Sequence, residues 1–230
     1  YIGDAAQSDM SGSSPAGAVQ ICVEIADEVV AAMKSLYSKH LAAWGFDAVR
    51  DTQFMTAKHA GLLGTRHLNK VMQSLHQRSL GVELGEPDAN DDRRPVLMIG
   101  DKVIHTKNNY ELNVMNGTVG IVVGTTPLTV EYDDGVIEYP PDCNSQVELA
   151  YVLTPHKMQG SECPCAVVVC HKANAYLQTR NWLYTAASRA RKTCVIIGDA
   201  DTIKKSASRT DPNRRSTLLQ VFAAHKGARP

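Results

Sequence analysis

The chain has 230 residues, 43% of them hydrophobic and 21% charged, with 24 basic against 24 acidic side chains. This fits a soluble globular protein of one large or two small domains, and it excludes a surface coated in positive charge while leaving room for a local nucleic-acid groove. No run of 18 apolar residues occurs, so no membrane span is expected.

Residues 1–15 are rich in Gly, Ser and Asp and read as a linker or loose end. Apolar residues from Val19 to Leu36 recur at three- and four-residue steps, which predicts a helix over 16–44, stopped at Gly45. Thr52 to Ala57 is a short strand candidate, and Gly64 to Leu80 reads as an amphipathic helix with Leu68, Val71, Met72 and Leu75 on one face.

Residues 81–94 are polar, and the texture changes after them. Val96–Ile99, Lys102–Thr106, Thr118–Val123, Leu128–Tyr132 and Val136–Tyr139 are short strand candidates. They are separated by turn residues such as Asn116-Gly117 and Asp133-Asp134-Gly135. Five such strands predict a small curled antiparallel barrel. From Glu148 strand–helix alternation returns. The apolar runs at 149–153, 166–170 and 194–198 suit parallel strands covered on both faces, with helices over 155–159, 180–190, 200–207 and 213–224.

The six cysteines lack doubled Cys-x-x-Cys spacing, so they read as reduced structural thiols of a cytosolic protein. Cys163, Cys165 and His171 are poorly spaced for a metal, and no metal site is expected.

Three segments carry chemistry. Thr154 to Glu162 follows a buried strand. Gly160 would let a backbone N–H approach a phosphate or ribose, Glu162 could accept from a ribose hydroxyl, and Thr154 and His156 suit a phosphodiester backbone. A capped turn with Glu162 solvated is the plainer alternative. Ser188 to Lys192 puts Arg189, Arg191 and Lys192 at a helix end. There they are either a solvated face favoured by the helix dipole or a phosphate-directed guanidinium. Gly100 to Gly120 clusters Lys102, Lys107, Asn108, Asn109 and Tyr110, which suits single-stranded nucleic acid and equally an ordinary polar barrel rim.

Taken together, "GDKVIHTKNNYELNVMNGTVGIV", "AYVLTPHKMQGSE" and "YTAASRARKTCVIIGD" resemble the C-terminal half of RecD-type superfamily 1 DNA helicases, the family of the exodeoxyribonuclease V alpha subunit. "GLLGTRHLNKVMQ" is similar to the stretch after that family's fourth motif. The resemblance spans roughly Asp51 to Leu219 and implies an α/β fold. Residues 16–93 and 146–230 would form the second RecA-like parallel-sheet domain, with helices on both faces. An SH3-like antiparallel β-barrel at 94–145 would interrupt it.

The resemblance further implies 5′–3′ translocation on single-stranded DNA driven by ATP and Mg²⁺. These would be bound jointly with an N-terminal RecA-like domain of the same protein, in a bacterial or phage-encoded cytoplasmic enzyme with possible nuclease or helicase subunits as partners. Gly160 and Glu162 match nucleotide-facing positions, and Arg189 matches the arginine finger. Thr154 and His156 match DNA-facing positions, with Lys107, Asn108 and Asn109 as weaker DNA candidates.

The sequence departs from the family pattern at Pro155, Met158 and Cys163, and Lys58 stands where the fourth motif usually has a phosphate-contacting arginine. The loop Gly-x-x-x-x-Gly-Lys-Ser/Thr occurs nowhere in the chain, so the expectation is half of a motor with almost no ATP hydrolysis of its own. The rival expectation is a non-catalytic protein- or nucleic-acid-binding module on a helicase-like scaffold.

Overall fold

The computed structural model describes residues 17–91 and 93–210; the linker expected over 1–15 and the helix over 213–224 lie outside them. Two five-stranded sheets organise the described chain. The first is parallel and holds β1 (Gly17–Cys22), β2 (Thr52–Met55), β8 (Val152–Leu153), β9 (Cys163–Val169) and β10 (Ala190–Gly198) in the order β1-β10-β9-β2-β8. The second is antiparallel and holds β3 (Lys102–His105), β4 (Val119–Thr125), β5 (Leu128–Tyr132), β6 (Gly135–Glu138) and β7 (Val147–Leu149) in the order β6-β5-β4-β3-β7.

The parallel sheet is buried on both faces, which explains its near-continuous apolar strands. Val167, Val169, Val195 and Ile197 point into the core beneath α1 (Ala26–Ser35) and α3 (Thr65–Ser79). Their neighbours Ala166, Val168, Cys194 and Ile196 point the opposite way, beneath α4 (Arg180–Ala187) and α5 (Ala200–Ser208). Alternate residues of one strand thus serve two cores, as strand geometry requires. The four cysteines at 163, 165, 170 and 194 are buried free thiols, and burial pushes each pKa upward.

The structure corrects several expectations. The helix expected from residue 16 begins only at Ala26, because Gly17–Cys22 pairs in parallel with Thr193–Gly198 as the sheet's outer strand. The helix then continues through a π-helical turn at Leu36–His40 into α2 (Leu41–Ala43). The segment 155–159 forms turns and no helix. Val96–Ile99 is no strand; the Gln73 and Gln77 amides of α3 donate to the Val96 and Ile99 carbonyls in place of a ladder.

The apolar run at 149–153 is two strands in two sheets. Leu149 ends β7 of the antiparallel sheet, and Val152 begins β8 of the parallel one. The chain crosses at Ala150-Tyr151, where the Gln53 side-chain amide donates to both carbonyls at 3.0 and 3.1 Å. Beside this crossing Asp101, fully buried, accepts hydrogen bonds from Gln73 Nε2 (2.5 Å), Met98 N (2.8 Å), Gln77 Nε2 (2.9 Å) and Tyr151 Oη (3.0 Å). Two donors on each carboxylate oxygen use its acceptor capacity, so the buried side chain is satisfied by hydrogen bonds alone. This network fixes α3, the start of β3 and the crossing as one unit.

Candidate nucleotide and nucleic-acid site

The segment Thr154 to Glu162 links opposite ends of the parallel sheet. Leu153 closes β8 level with Met55 and Val168, while Cys163 opens β9 at its amino end, beside Ala190 of β10. Thr154 and His156 therefore lie toward the carboxyl ends of the strands, and Gly160 and Glu162 lie toward the amino ends. Met158, midway, is buried in the core with Leu153 and Ile104 and pins the loop. Gly160 has φ +85°, a left-handed conformation that a side chain would strain. A Cβ there would meet no neighbour within 4 Å, so the backbone geometry sets the requirement and crowding plays no part.

Arg189 follows α4 and leads into β10. Its Nη1 donates to the Ser161 carbonyl at 3.1 Å and its Nε to the Thr185 carbonyl at 3.2 Å. The guanidinium is half-buried and rests on the backbone between Gly160 and Glu162. Pairing between β10 and β9 shifts register between Ala190 and Thr193, and the irregularity turns Arg191 and Lys192 to solvent. Arg191 Nε then reaches Glu162 at 3.1 Å. The structure thus brings Arg189, Gly160 and Glu162 together.

It places the other candidates elsewhere. Lys58 follows the carboxyl end of β2, where its carbonyl accepts from Thr65 N, so it lies on the Thr154 side and not beside Arg189. Next to it Gly64 permits a close approach, since a Cβ there would sit 2.5 Å from the Ala60 carbonyl oxygen. Thr154 is buried and lines a cleft of ≈ 610 Å³ with Asn69, Lys70 and Arg66. His156 is exposed and, with Gly160, lines a groove of ≈ 650 Å³ whose other wall is Thr106 and Asn116–Thr118 of the antiparallel sheet.

In the 106–118 excursion Lys107 and Asn108 are exposed and Asn109 is half-buried. Asn108 Oδ1 accepts from Asn116 N and Asn109 Oδ1 from Leu112 N, so both side chains also hold the turn. Lys102 is corrected: it is 5% exposed, and its Nζ donates to the Thr52 carbonyl at 2.8 Å, so it is no surface donor. Burial brings its pKa down to about 8. Tyr132 and Tyr139 are buried, hydrogen-bonded to each other at 2.6 Å and onward to His105, which leaves Tyr110 as the exposed ring of this region among the described residues.

Residues 149–197 match the family model of the UvrD-like helicase C-terminal domain, a span that holds Thr154–Glu162 and Arg189. The ATP-dependent RecD2 DNA helicase of Deinococcus radiodurans is 35% identical over 175 residues, covering 75% of this chain and 24% of the relative. The RecBCD enzyme subunit RecD of Mycolicibacterium smegmatis is 29% identical over 159 residues, covering 68% and 27%. The chain thus spans about a quarter of the length of these curated relatives. A solved Pif1 helicase from Bacteroides, in complex with ADP-AlF3 and ssDNA, is 18% identical, covering 89% of this chain and 51% of that one at a TM-score of 0.46. So loose an overlay leaves the site to this chain's own residues. The chain is thus similar to RecD and RecD2 helicases over most of its length, and its residues 149–197 match the UvrD-like helicase C-terminal domain.

Proposed function

We propose that the parallel-sheet part, residues 16–93 and 146–230, is the second RecA-like domain of an ATP-dependent 5′–3′ DNA helicase, and that 94–145 is an inserted SH3-like barrel. The observation that carries this reading is the loop 154–162. One end lies against the Arg189 guanidinium, and the other reaches the cleft lined by Thr154. A nucleotide at the first end would meet Arg189 as a cation for the charge that develops on a transferring phosphoryl group, Glu162 as an acceptor for a ribose hydroxyl, and the Gly160 backbone. ATP and Mg²⁺ would supply the phosphoryl chemistry from a preceding RecA-like domain. A single strand at the second end would meet Thr154 and His156, with Lys107, Asn108 and Asn109 across the groove. Opening and closing of the nucleotide cleft would then shift the strand through the same loop.

Arg189 already has partners for three of its donors, the weakest being Ser188 Oγ at 3.3 Å. It is therefore positioned before any ligand arrives, as catalysis by preorganised charge requires. When the chain is joined to a P-loop domain, Arg189→Ala slows DNA-stimulated ATP hydrolysis about 10³-fold or more with nucleotide affinity little changed. The 230-residue chain alone gives no turnover above buffer. Turnover by the chain alone that Arg189→Ala abolishes overturns the half-motor reading. Salt-sensitive binding of single-stranded DNA that His156→Ala weakens supports the other end. Tight capture of a protein with no affinity for single strands would favour a binding module instead.

A further inference from the structure

The ≈ 610 Å³ cleft that Thr154 lines extends well beyond the loop 154–162. Its accessible apolar surface comes from Pro95 and Leu97, with the almost fully buried Leu149, Val152 and Leu153 beneath them. Its rim, among the described residues, carries Arg66, Lys70, Arg93, Arg94 and Lys157 against two carboxylates, Asp91 and Glu148. The rim is built from both sheets. Arg94 donates to the carbonyls of Asn144 and Val147 and so fastens the 93–97 segment to β7, while Lys70 projects from α3. His59 sits in the same wall with Nδ1 on Thr65 Oγ1. Burial, and then the nearby Lys157 and Arg66 charges, hold its pKa below the usual imidazole range, so it adds a hydrogen-bonding ring to a field the lysines and arginines set.

Both carboxylates are already paired. Glu148 takes Lys157 at 3.1 Å. Asp91 bridges two cations, with Oδ2 3.0 Å from Lys70 Nζ and Oδ1 2.8 Å from Arg93 Nε. Lys70 also donates to the Asp91 backbone carbonyl at 2.6 Å, a contact that would survive loss of the charge. Arg93 is 89% exposed and serves no packing role. An anion seated between a half-buried lysine and a solvent-facing arginine marks a cationic seat of the kind that tracks a nucleic-acid backbone, with aliphatic surface beside it.

We propose that this cleft continues the single-strand path beyond Thr154, and that Asp91 occupies the cationic seat a backbone phosphate takes when the strand is bound. The inference rests on the reading of Thr154 and His156 as strand-facing. It adds Lys70 and Arg93 as phosphate contacts and makes Asp91 a built-in competitor. The apolar surface of Pro95 and Leu97 has no use for a free polyanion, so the ligand is the single strand and not phosphate alone.

The test is a fluorescence-anisotropy titration of the full chain with oligothymidylate at several salt concentrations. Asp91→Asn tightens binding at low salt about threefold to tenfold, because the phosphate no longer competes with a carboxylate. Arg93→Gln weakens it by a similar factor and lowers the slope of log K against log salt by about 0.7, the loss of one phosphate contact on a single strand. Thermal midpoints identify any variant that has lost its fold. If His156→Ala weakens binding while Asp91→Asn and Arg93→Gln leave it unchanged, the cleft lies off the path and the strand-facing reading survives. If neither the unmodified chain nor Asp91→Asn binds single strands, both fall. Equal competition by inorganic polyphosphate and by oligothymidylate at matched phosphate would reduce the cleft to an anion site and overturn the proposal.

Discussion

The antiparallel sheet meets the parallel one along two seams that differ in kind. On the α3 side the seam is dry. Gln73, Gln77 and Tyr151, all buried, each donate to the buried Asp101, and Tyr37 shares a 2.8 Å hydrogen bond with His76, whose other nitrogen meets the Gly100 carbonyl at 3.0 Å. Along the 154–162 loop the seam is a groove of ≈ 650 Å³ with polar, largely exposed walls. A satisfied polar network in a dry seam fixes relative position, because every alternative arrangement strands several donors at once. An open groove with one buried anchor, Met158, leaves room for a ligand and for movement. The difference teaches that the insert is clamped on one side so that the other can stay open.

Breaking the dry seam gives the largest effect. Asp101→Ala takes the acceptor from one N–H of each of two glutamine amides, from the Met98 N–H and from a tyrosine hydroxyl, and destabilises the chain by about 3–5 kcal/mol. Tyr151→Phe removes one donor and costs about 1 kcal/mol. Denaturant midpoints for the two variants decide the matter, since equal losses would mean that the network contributes no more than a single bond. Next comes the open seam's anchor. Met158→Ala removes a side chain that is 4% exposed and costs about 2–3 kcal/mol by the cavity it leaves.

Lys102 tests the seam's base with a sign that can be worked out. Its folded pKa of about 8 lies below the free value of 10.5. Below pH 8 both folded and unfolded chains carry the proton, and the cost of burying the charge is fully present. Between pH 8 and 10.5 the folded chain has released the proton while the unfolded chain still holds it, so this contribution to stability rises with pH. Lys102→Met therefore stabilises by on the order of 2 kcal/mol at neutral pH, and its advantage over the unmodified chain shrinks from pH 8 to 10.5. Taking the difference between the two chains removes the opposing trend of Cys165, Cys170 and Cys194, whose pKa values are raised, while Cys163, which interacts with the Lys102 charge, stays in the difference. An advantage that does not change with pH would show Lys102 to keep its proton when buried as readily as when unfolded.

Much of this architecture is legible in the sequence, and the misses have physical causes. The apolar runs at 166–170 and 194–198 fall within parallel strands because both faces are buried, which leaves a continuous signal. The run at 149–153 carries the same signal but splits at Ala150-Tyr151. Nothing local marks the split, because the two halves are buried in different sheets. Gly17–Cys22 is a strand through its pairing with β10, a partner some 170 positions away, and apolar spacing alone favours a helix there. The motif segments were found by their residue types. Arg93 and Lys70 carry no signal of their own in the sequence, because a polar stretch reads as a boundary and a helical lysine as a solvated face. Asp101 gave one signal that could have found it: an acid directly before a strand whose own first residue is a buried lysine.

The smallest expected effect sharpens the comparison most. Glu162 and Arg191 form an ion pair at 3.1 Å with side chains 55% and 64% exposed, so solvent screens it. Glu162→Gln changes stability by no more than about 0.5 kcal/mol. Its place in the fold therefore gives no structural reason for a carboxylate beside Gly160 and Arg189. In a protein that couples this chain to a P-loop domain, the same substitution weakens nucleotide binding, because an amide oxygen is a poorer acceptor for a ribose hydroxyl than a carboxylate. Equal loss with a ribose and with a 2′-deoxyribose nucleotide would leave the 3′-hydroxyl as the contact. No loss with either would mean that Glu162 faces solvent alone, and that the amino ends of β9 and β10 offer the nucleotide only the Arg189 guanidinium and the Gly160 backbone.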